Sequence, residues 1–163
     1  MEMDELIRVH GRRVFGLCLS LCKDRYEAEE LYQDTWLRVL KNISKYDEGR
    51  DFEPWAARIC VNIYRNRLRR LARSPFLGFR SEEERDSVLE SAAAPERPDY
   101  SYVREAVDKL PEKYRLAVLL FYFEGMDIAA AAKVMGIPDG TVKSRLSRAR
   151  ELLKEELKDE DAV

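Results

Sequence analysis

The stretch "GIPDGTVKSRLSRARELLKEEL", Gly136 to Leu157, decides what kind of fold this chain can adopt. Val142, Leu146, Ala149 and Leu153 recur at steps of four, three and four, which puts them on one face of a helix. Lys143, Arg145, Arg148 and Arg150 fall within eight positions with no acid among them, and acids dominate from Glu151 onward. Such a helix is either an ordinary amphipathic surface helix or one shaped to lie against a polyanion. The preceding residues favour the polyanion. In "MDIAAAAKVM", Ile128, Ala131, Ala132 and Met135 line one helical face, and Gly136 permits a sharp reversal. Helix, tight glycine turn and second helix form the helix-turn-helix arrangement, and the alanines let the two helices cross closely.

With the apolar stripe turned inward, Thr141, Ser144, Arg145 and Arg148 share an outward face, and Lys143 sits at its margin. Arginine can grip guanine with two hydrogen bonds, while Ser, Thr and Lys suit phosphates and base edges. The unit therefore reads as a binder of duplex DNA.

Outside this unit the chain is helical in character. Its 163 residues are 45% hydrophobic and 37% charged, with 7 Gly, and apolar residues recur at three- and four-residue steps. The expected fold class is all-α, with two small helical domains joined by a flexible linker. No apolar run approaches the ~20 residues that span a bilayer, and no signal-peptide pattern opens the chain. Cytoplasmic location without membrane insertion is the expectation. Three cysteines, Cys18, Cys22 and Cys60, suit a reducing compartment. Cys18, Cys22 and His10 lack a fourth ligand for a tetrahedral metal site, so the cysteines read as core residues. There is one His, no phosphate-cradling glycine loop and no catalytic constellation. The function expected is binding, without enzymatic chemistry or a cofactor.

The net charge of −2 conceals an alternating pattern. Residues 54–81 hold seven Arg and no acid, and 82–112 hold ten acids against four basic residues. Residues 113–150 hold seven basic residues against three acids, and 151–163 six acids against two Lys. Two basic zones with an acidic spacer imply two contacts with one polyanion.

The second basic zone lies on an earlier helix, expected from Pro54 to about Leu71. Arg58, Asn62, Arg65, Asn66 and Arg69 form one polar stripe there, and Asn can bond base edges. Ala56, Cys60, Ile63, Tyr64 and Leu71 read as its core face. The loop ahead is bracketed by Tyr46, Phe52 and Trp55, aromatics that either pack the loop or hold unstacked bases. Two helices precede it, about Asp4–Lys23 and Glu27–Ile43, the second opened by a capping box at "DRYE". Ala28, Leu31, Thr35 and Val39 form the second helix's apolar stripe. Glu29, Glu30, Gln33 and Asp34 cluster near its start, where acids favour the helix dipole by ~0.3–1 kcal/mol each and keep that face off phosphate. The expected divisions are 1–72, a linker at 73–99, 100–158 with the helix-turn-helix, and an acidic tail at 159–163.

Together these residues resemble the extracytoplasmic-function group of the sigma-70 family, the promoter-recognition subunits of bacterial RNA polymerase. "AEELYQDTWLRVLKNISKYD" is similar to the family's core-binding helix of region 2, and "FEPWAARICVNIYRNRLRR" to its promoter-melting, minus-10 segment. "LPEKYRLAVLLFYFEGMDIAAAAKVMGIPDGTVKSRLSRARELL" is similar to region 4. The resemblance implies that Glu30, Gln33 and Asp34 face core RNA polymerase. It implies that Asn62 and the loop before it engage the extruded minus-10 base, with Phe52, Trp55, Arg58, Arg65, Asn66 and Arg69 beside it. Thr141, Lys143, Ser144, Arg145 and Arg148 would contact the minus-35 duplex. An anti-sigma factor is the implied further partner. The "IAAAA" run departs from the family, which commonly has an acid after Ile-Ala. A stand-alone helix-turn-helix regulator is the alternative; it would bind operator DNA tightly without polymerase.

Overall fold

The computed structural model describes residues 2–73 and 101–161, with side chains through Lys158. The chain divides into two compact units, Met1–Ala93 and Ala94–Val163. All regular structure among the described residues is helical. The expected linker lies outside the described residues apart from Arg73, as do Tyr100 and the end of the tail.

The first unit is a three-helix bundle of α1 (Met3–Leu21), α2 (Arg25–Asn42) and α3 (Phe52–Arg73). Asp24 caps α2 by accepting the Glu27 amide at 2.7 Å, the first half of the expected capping box. The α2 stripe is fully inside: Ala28, Leu31, Thr35 and Val39 are each 0% exposed. Thr35 is tolerated there because its hydroxyl donates to the Leu31 carbonyl at 2.6 Å. Each helix of the bundle touches both others, so α3 needs a face wider than one stripe. Ala57 and Val61 are accordingly buried beside Ala56, Cys60 and Tyr64, while Ile63 is only half-buried. Leu71, expected in the core, is 40% exposed in the last turn, beyond the buried run that ends at Tyr64.

Two of the three cysteines are core residues, and Cys22 is half-buried. Cys18 of α1 and Cys60 of α3 are buried with their sulfurs 3.7 Å apart. Cys22 lies just past α1 in extended backbone. The hydrogen bond with Cys60, then burial, holds the Cys18 thiol far above the ordinary range. Burial above all pushes Cys22 up to about 12.

The second unit comprises α4 (Ser101–Asp108), α5 (Glu112–Val118), α6 (Ile128–Met135) and α7 (Asp139–Asp161). Pro111 caps α5 rather than entering it. A single π-helical turn, Leu119–Phe123, continues α5 and carries the Glu124 amide to the Leu119 carbonyl at 2.9 Å. That widened turn buries Leu119 and Leu120 yet leaves Tyr122 and Phe123 about half exposed. The buried Arg115 guanidinium bonds Asp108 and Glu112, both at 3.2 Å, joining α4 to α5. Val142, Leu146 and Ala149 of α7 are at most 1% exposed. Burying such a Val or Leu stabilises by roughly 1.5–3 kcal/mol.

Both raised thiol pKa values carry a sign. The folded chain keeps these protons where the unfolded chain releases them, so stability is full below the unfolded pKa, about 8.5. It is lost as pH rises above that value towards the folded pKa, about 12 for Cys22. Urea midpoints of the wild-type chain should therefore fall from about pH 9 upward. Cys22→Ala should flatten that fall, and an identical fall in the variant would contradict the assignment.

Candidate nucleic-acid interface

The helix-turn-helix is built from identifiable local chemistry. Asp127 caps α6, accepting the Ala130 amide at 2.7 Å. Gly136 ends α6 with φ +69°, and the Ile137 amide returns to the Ala132 carbonyl at 3.1 Å. This is a Schellman closure, which favours glycine because side chains rarely adopt that φ. Pro138 then accepts the Thr141 amide at 3.0 Å as α7 begins. Ala131, Ala132, Val134 and Met135 are buried, and Ile128 is half-buried.

This packing leaves the cations outward. Ser144, Lys143 and Arg148 are exposed, and Thr141 and Arg145 are half-buried. Ser144 donates its hydroxyl to the Thr141 carbonyl at 3.1 Å, which fixes its oxygen on the surface. Arg148 pairs with Glu151 at 2.9 Å, and that hydrogen bond holds its guanidinium above the ordinary arginine range. Lys143 is seven residues from Arg150 and shares a flank with it, apart from Thr141, Ser144, Arg145 and Arg148. Arg150 turns instead to the Tyr122 hydroxyl at 3.1 Å. Acids start at Glu151, so the amino-terminal half of α7 beyond Asp139 presents no carboxylate.

On α3, Arg58, Asn62, Asn66 and Arg69 are exposed along one side and Arg65 is half-buried. Arg69 donates to the Asn66 side-chain oxygen at 3.4 Å. The loop ahead is closed by Tyr46, whose hydroxyl donates to the Arg50 carbonyl at 2.6 Å, and by Asp47, which accepts the Gly49 amide at 3.0 Å. Partial burial and the acids Asp51, Glu48 and Asp47 raise the Tyr46 pKa, keeping this phenol a donor.

The aromatics divide into two kinds. Phe52 is 5% exposed, stacked with Trp36 at 6.0 Å and flanked by His10, Tyr46 and Trp55. It offers no face to a base and braces the loop from inside. Trp55 is half-buried at the rim, 5.0 Å from Tyr46. Sequence reasoning could not separate them, because both flank the same loop.

Glu30, Gln33 and Asp34 are exposed on α2. Asp34 pairs with Arg67 of α3. Gln33 also lines an open apolar groove of about 510 Å³ between α1 and α2, with Met3, Ile7, Tyr32, Trp36, Leu37 and Leu40. Leu37 and Leu40 are more than half exposed. The sequence reading missed both, although two leucines three apart and off the buried stripe were the available signal.

Among the described residues, no group of three or more His, Cys, Asp and Glu could hold a metal ion, and no helix is long and apolar enough to cross a membrane. Two helical units, one with an aromatic-edged basic helix and one with a helix-turn-helix, define a two-part DNA-binding transcription factor. Residues 6–74 match the Sigma-70 region 2 family and residues 100–153 match Sigma-70, region 4. The chain belongs to the sigma-70 family, in its extracytoplasmic-function group, and is an RNA polymerase sigma factor. It is 28% identical to the ECF RNA polymerase sigma factor SigW of Bacillus subtilis, over 95% of this chain and 88% of SigW. It is 30% identical to the RNA polymerase sigma-H factor of Pseudomonas aeruginosa, over 94% and 85%. The fold is similar to that of the sigma factor RpoE in complex with the anti-sigma factor NepR from Bartonella quintana, with a TM-score of 0.73, 27% identity and 95% of each chain covered.

If Phe52 braces the loop from inside, Phe52→Ala should cost the first unit about 3–5 kcal/mol in urea unfolding. Trp55→Ala should cost clearly less. Equal losses would place both rings in the core.

Proposed function

We propose that this sigma factor docks on core RNA polymerase through α2 and holds promoter DNA at two places. Glu30, Gln33 and Asp34, with the neighbouring groove of Leu37 and Leu40, form the polymerase face. Their acids repel phosphate, and exposed leucines suit a protein surface rather than DNA. Asn62 and Trp55 receive an unstacked base of the minus-10 element, while Arg58, Arg65, Asn66 and Arg69 hold the adjoining phosphates. Phe52 supports Trp55 from beneath. Thr141, Ser144, Arg145 and Arg148 enter the minus-35 major groove, with Lys143 on a flanking phosphate.

The observation that carries this reading is the outward face of α7 from Gly140 to Arg150, which holds no carboxylate and is turned outward by the buried stripe of Val142, Leu146 and Ala149. A chain organised as 1–72, a tether at 73–99, 100–158 and a short acidic tail gains from effective concentration. Two modest grips act as one strong grip when polymerase fixes their spacing. The protein works by binding, without a catalytic step of its own, and acts in the cytoplasm. An anti-sigma factor is its negative partner, as NepR is found with RpoE. The absence of an acid in "IAAAA" removes one charge that an activator could use beside the minus-35 element.

Run-off transcription with core polymerase over a genomic fragment pool identifies the promoters. Arg145→Ala with Arg148→Ala should then lower cognate transcription by at least about tenfold, at ~1–3 kcal/mol per lost base contact, while polymerase binding stays unchanged. Unchanged transcription would sink the recognition-helix assignment. Asn62→Ala should impair promoter opening more than closed-complex formation, followed by permanganate footprinting; equal losses would contradict base capture.

A further inference from the structure

We infer that Arg67 is a positioning residue for polymerase docking: reaching across from α3, it fixes the exposed Asp34 carboxylate in the orientation that polymerase meets. This rests on the reading of Asp34 as part of the polymerase face. Arg67 lies outside the stripe of α3 proposed to hold DNA. It stands nine residues after Arg58, two and a half turns on, and so on the opposite side of the helix from the Arg58, Asn62, Asn66 and Arg69 stripe.

The pair is asymmetric. Arg67's side chain is 28% exposed and Asp34's is 51% exposed, so the carboxylate is the half presented to a partner. Arg67 holds the Asp34 Oδ2 through Nη2. Oδ1 has no hydrogen bond among the described residues and is left for an incoming donor. The charges around Arg67 make Asp34 its counter-ion. Cys18 and Cys22 also sit close enough to feel the guanidinium, but the Cys60 hydrogen bond on the first and burial on the second keep them neutral thiols.

Stability does not explain the arrangement, because an ion pair this exposed contributes little to folding. Preorganisation does. A carboxylate already held in one rotamer loses less freedom on docking, and the planar guanidinium fixes its direction as well as its charge. Asp34 also stands next to Gln33 and one turn before Leu37, at the edge of the apolar groove. Its orientation therefore sets where a partner's cation must lie when the groove is filled.

A double-mutant cycle on the full chain tests this, with the dissociation constant for core RNA polymerase measured by fluorescence titration and unfolding midpoints measured alongside. Asp34→Asn should weaken association about tenfold or more, as loss of a charge-assisted contact does. Arg67→Ala should weaken it about three- to tenfold with the unfolding midpoint nearly unchanged. In the Asp34→Asn background, Arg67→Ala should add nothing, and Arg67→Lys should recover part of the loss. If Asp34→Asn weakens association and Arg67→Ala does not, the positioning role is overturned and the polymerase face stands. An equal loss from Arg67→Ala in both backgrounds also overturns it, since Arg67 would then act independently of Asp34. If Asp34→Asn itself has no effect, the assignment of Asp34 to that face fails and the inference with it.

Discussion

A helix in a small bundle can bury only the face that meets its neighbours, and everything functional in this protein follows from that constraint. On α7, Val142, Leu146 and Ala149 turn inward because they are the apolar residues between Gly140 and Arg150 on the face that packs against α4, α5 and α6. The cations between them then have nowhere to go but out. On α3 the buried run from Ala56 to Tyr64 does the same for Arg58, Asn62, Asn66 and Arg69. The outward charge is thus positioned by hydrophobic burial, which is cheap to specify and hard to displace.

The same rule separates the partners. α2 buries Ala28, Leu31, Thr35 and Val39 and shows Glu30, Gln33 and Asp34 beside two exposed leucines, with Arg38 and Lys41 towards its end. The patch of Glu30, Asp34 and the two leucines disfavours the phosphate backbone and suits a protein. α3 belongs to both worlds, with one side carrying the Arg/Asn stripe and the other sending Arg67 to Asp34. On the proposed reading, polymerase docking and promoter contact use opposite sides of one rigid element. Rigid elements hold a site's geometry more precisely than loops do.

The helix order and the helix-turn-helix were legible in the sequence because they rest on local signals: the period of Val142, Leu146 and Ala149, the αL glycine at 136, and the cap at Asp24. Family membership rested on region 2 and region 4 patterns in the right order. What was not legible depended on neighbours distant in sequence. Phe52 and Trp55 bracket the same loop, and only the packing of His10 and Trp36 decides which ring is inside. The π turn at Leu119–Phe123 leaves no periodic trace, since it changes the register by a single residue. Arg67 looked like one more arginine in a basic run until α2 was folded against it. Leu71 kept the helical period yet passed beyond the buried run, so periodicity alone placed it wrongly.

On the proposed reading, α7, α3 and α2 meet the minus-35 element, the minus-10 element and polymerase respectively. Photo-crosslinking from single positions in the assembled promoter complex reads each of these contacts separately. A crosslinker replacing Ser144 should label the minus-35 duplex, one replacing Asn62 the non-template strand of the minus-10 element, and one replacing Leu37 polymerase alone. Labelling of DNA from position 37, or of minus-10 DNA from position 144, would contradict this division of contacts among the helices.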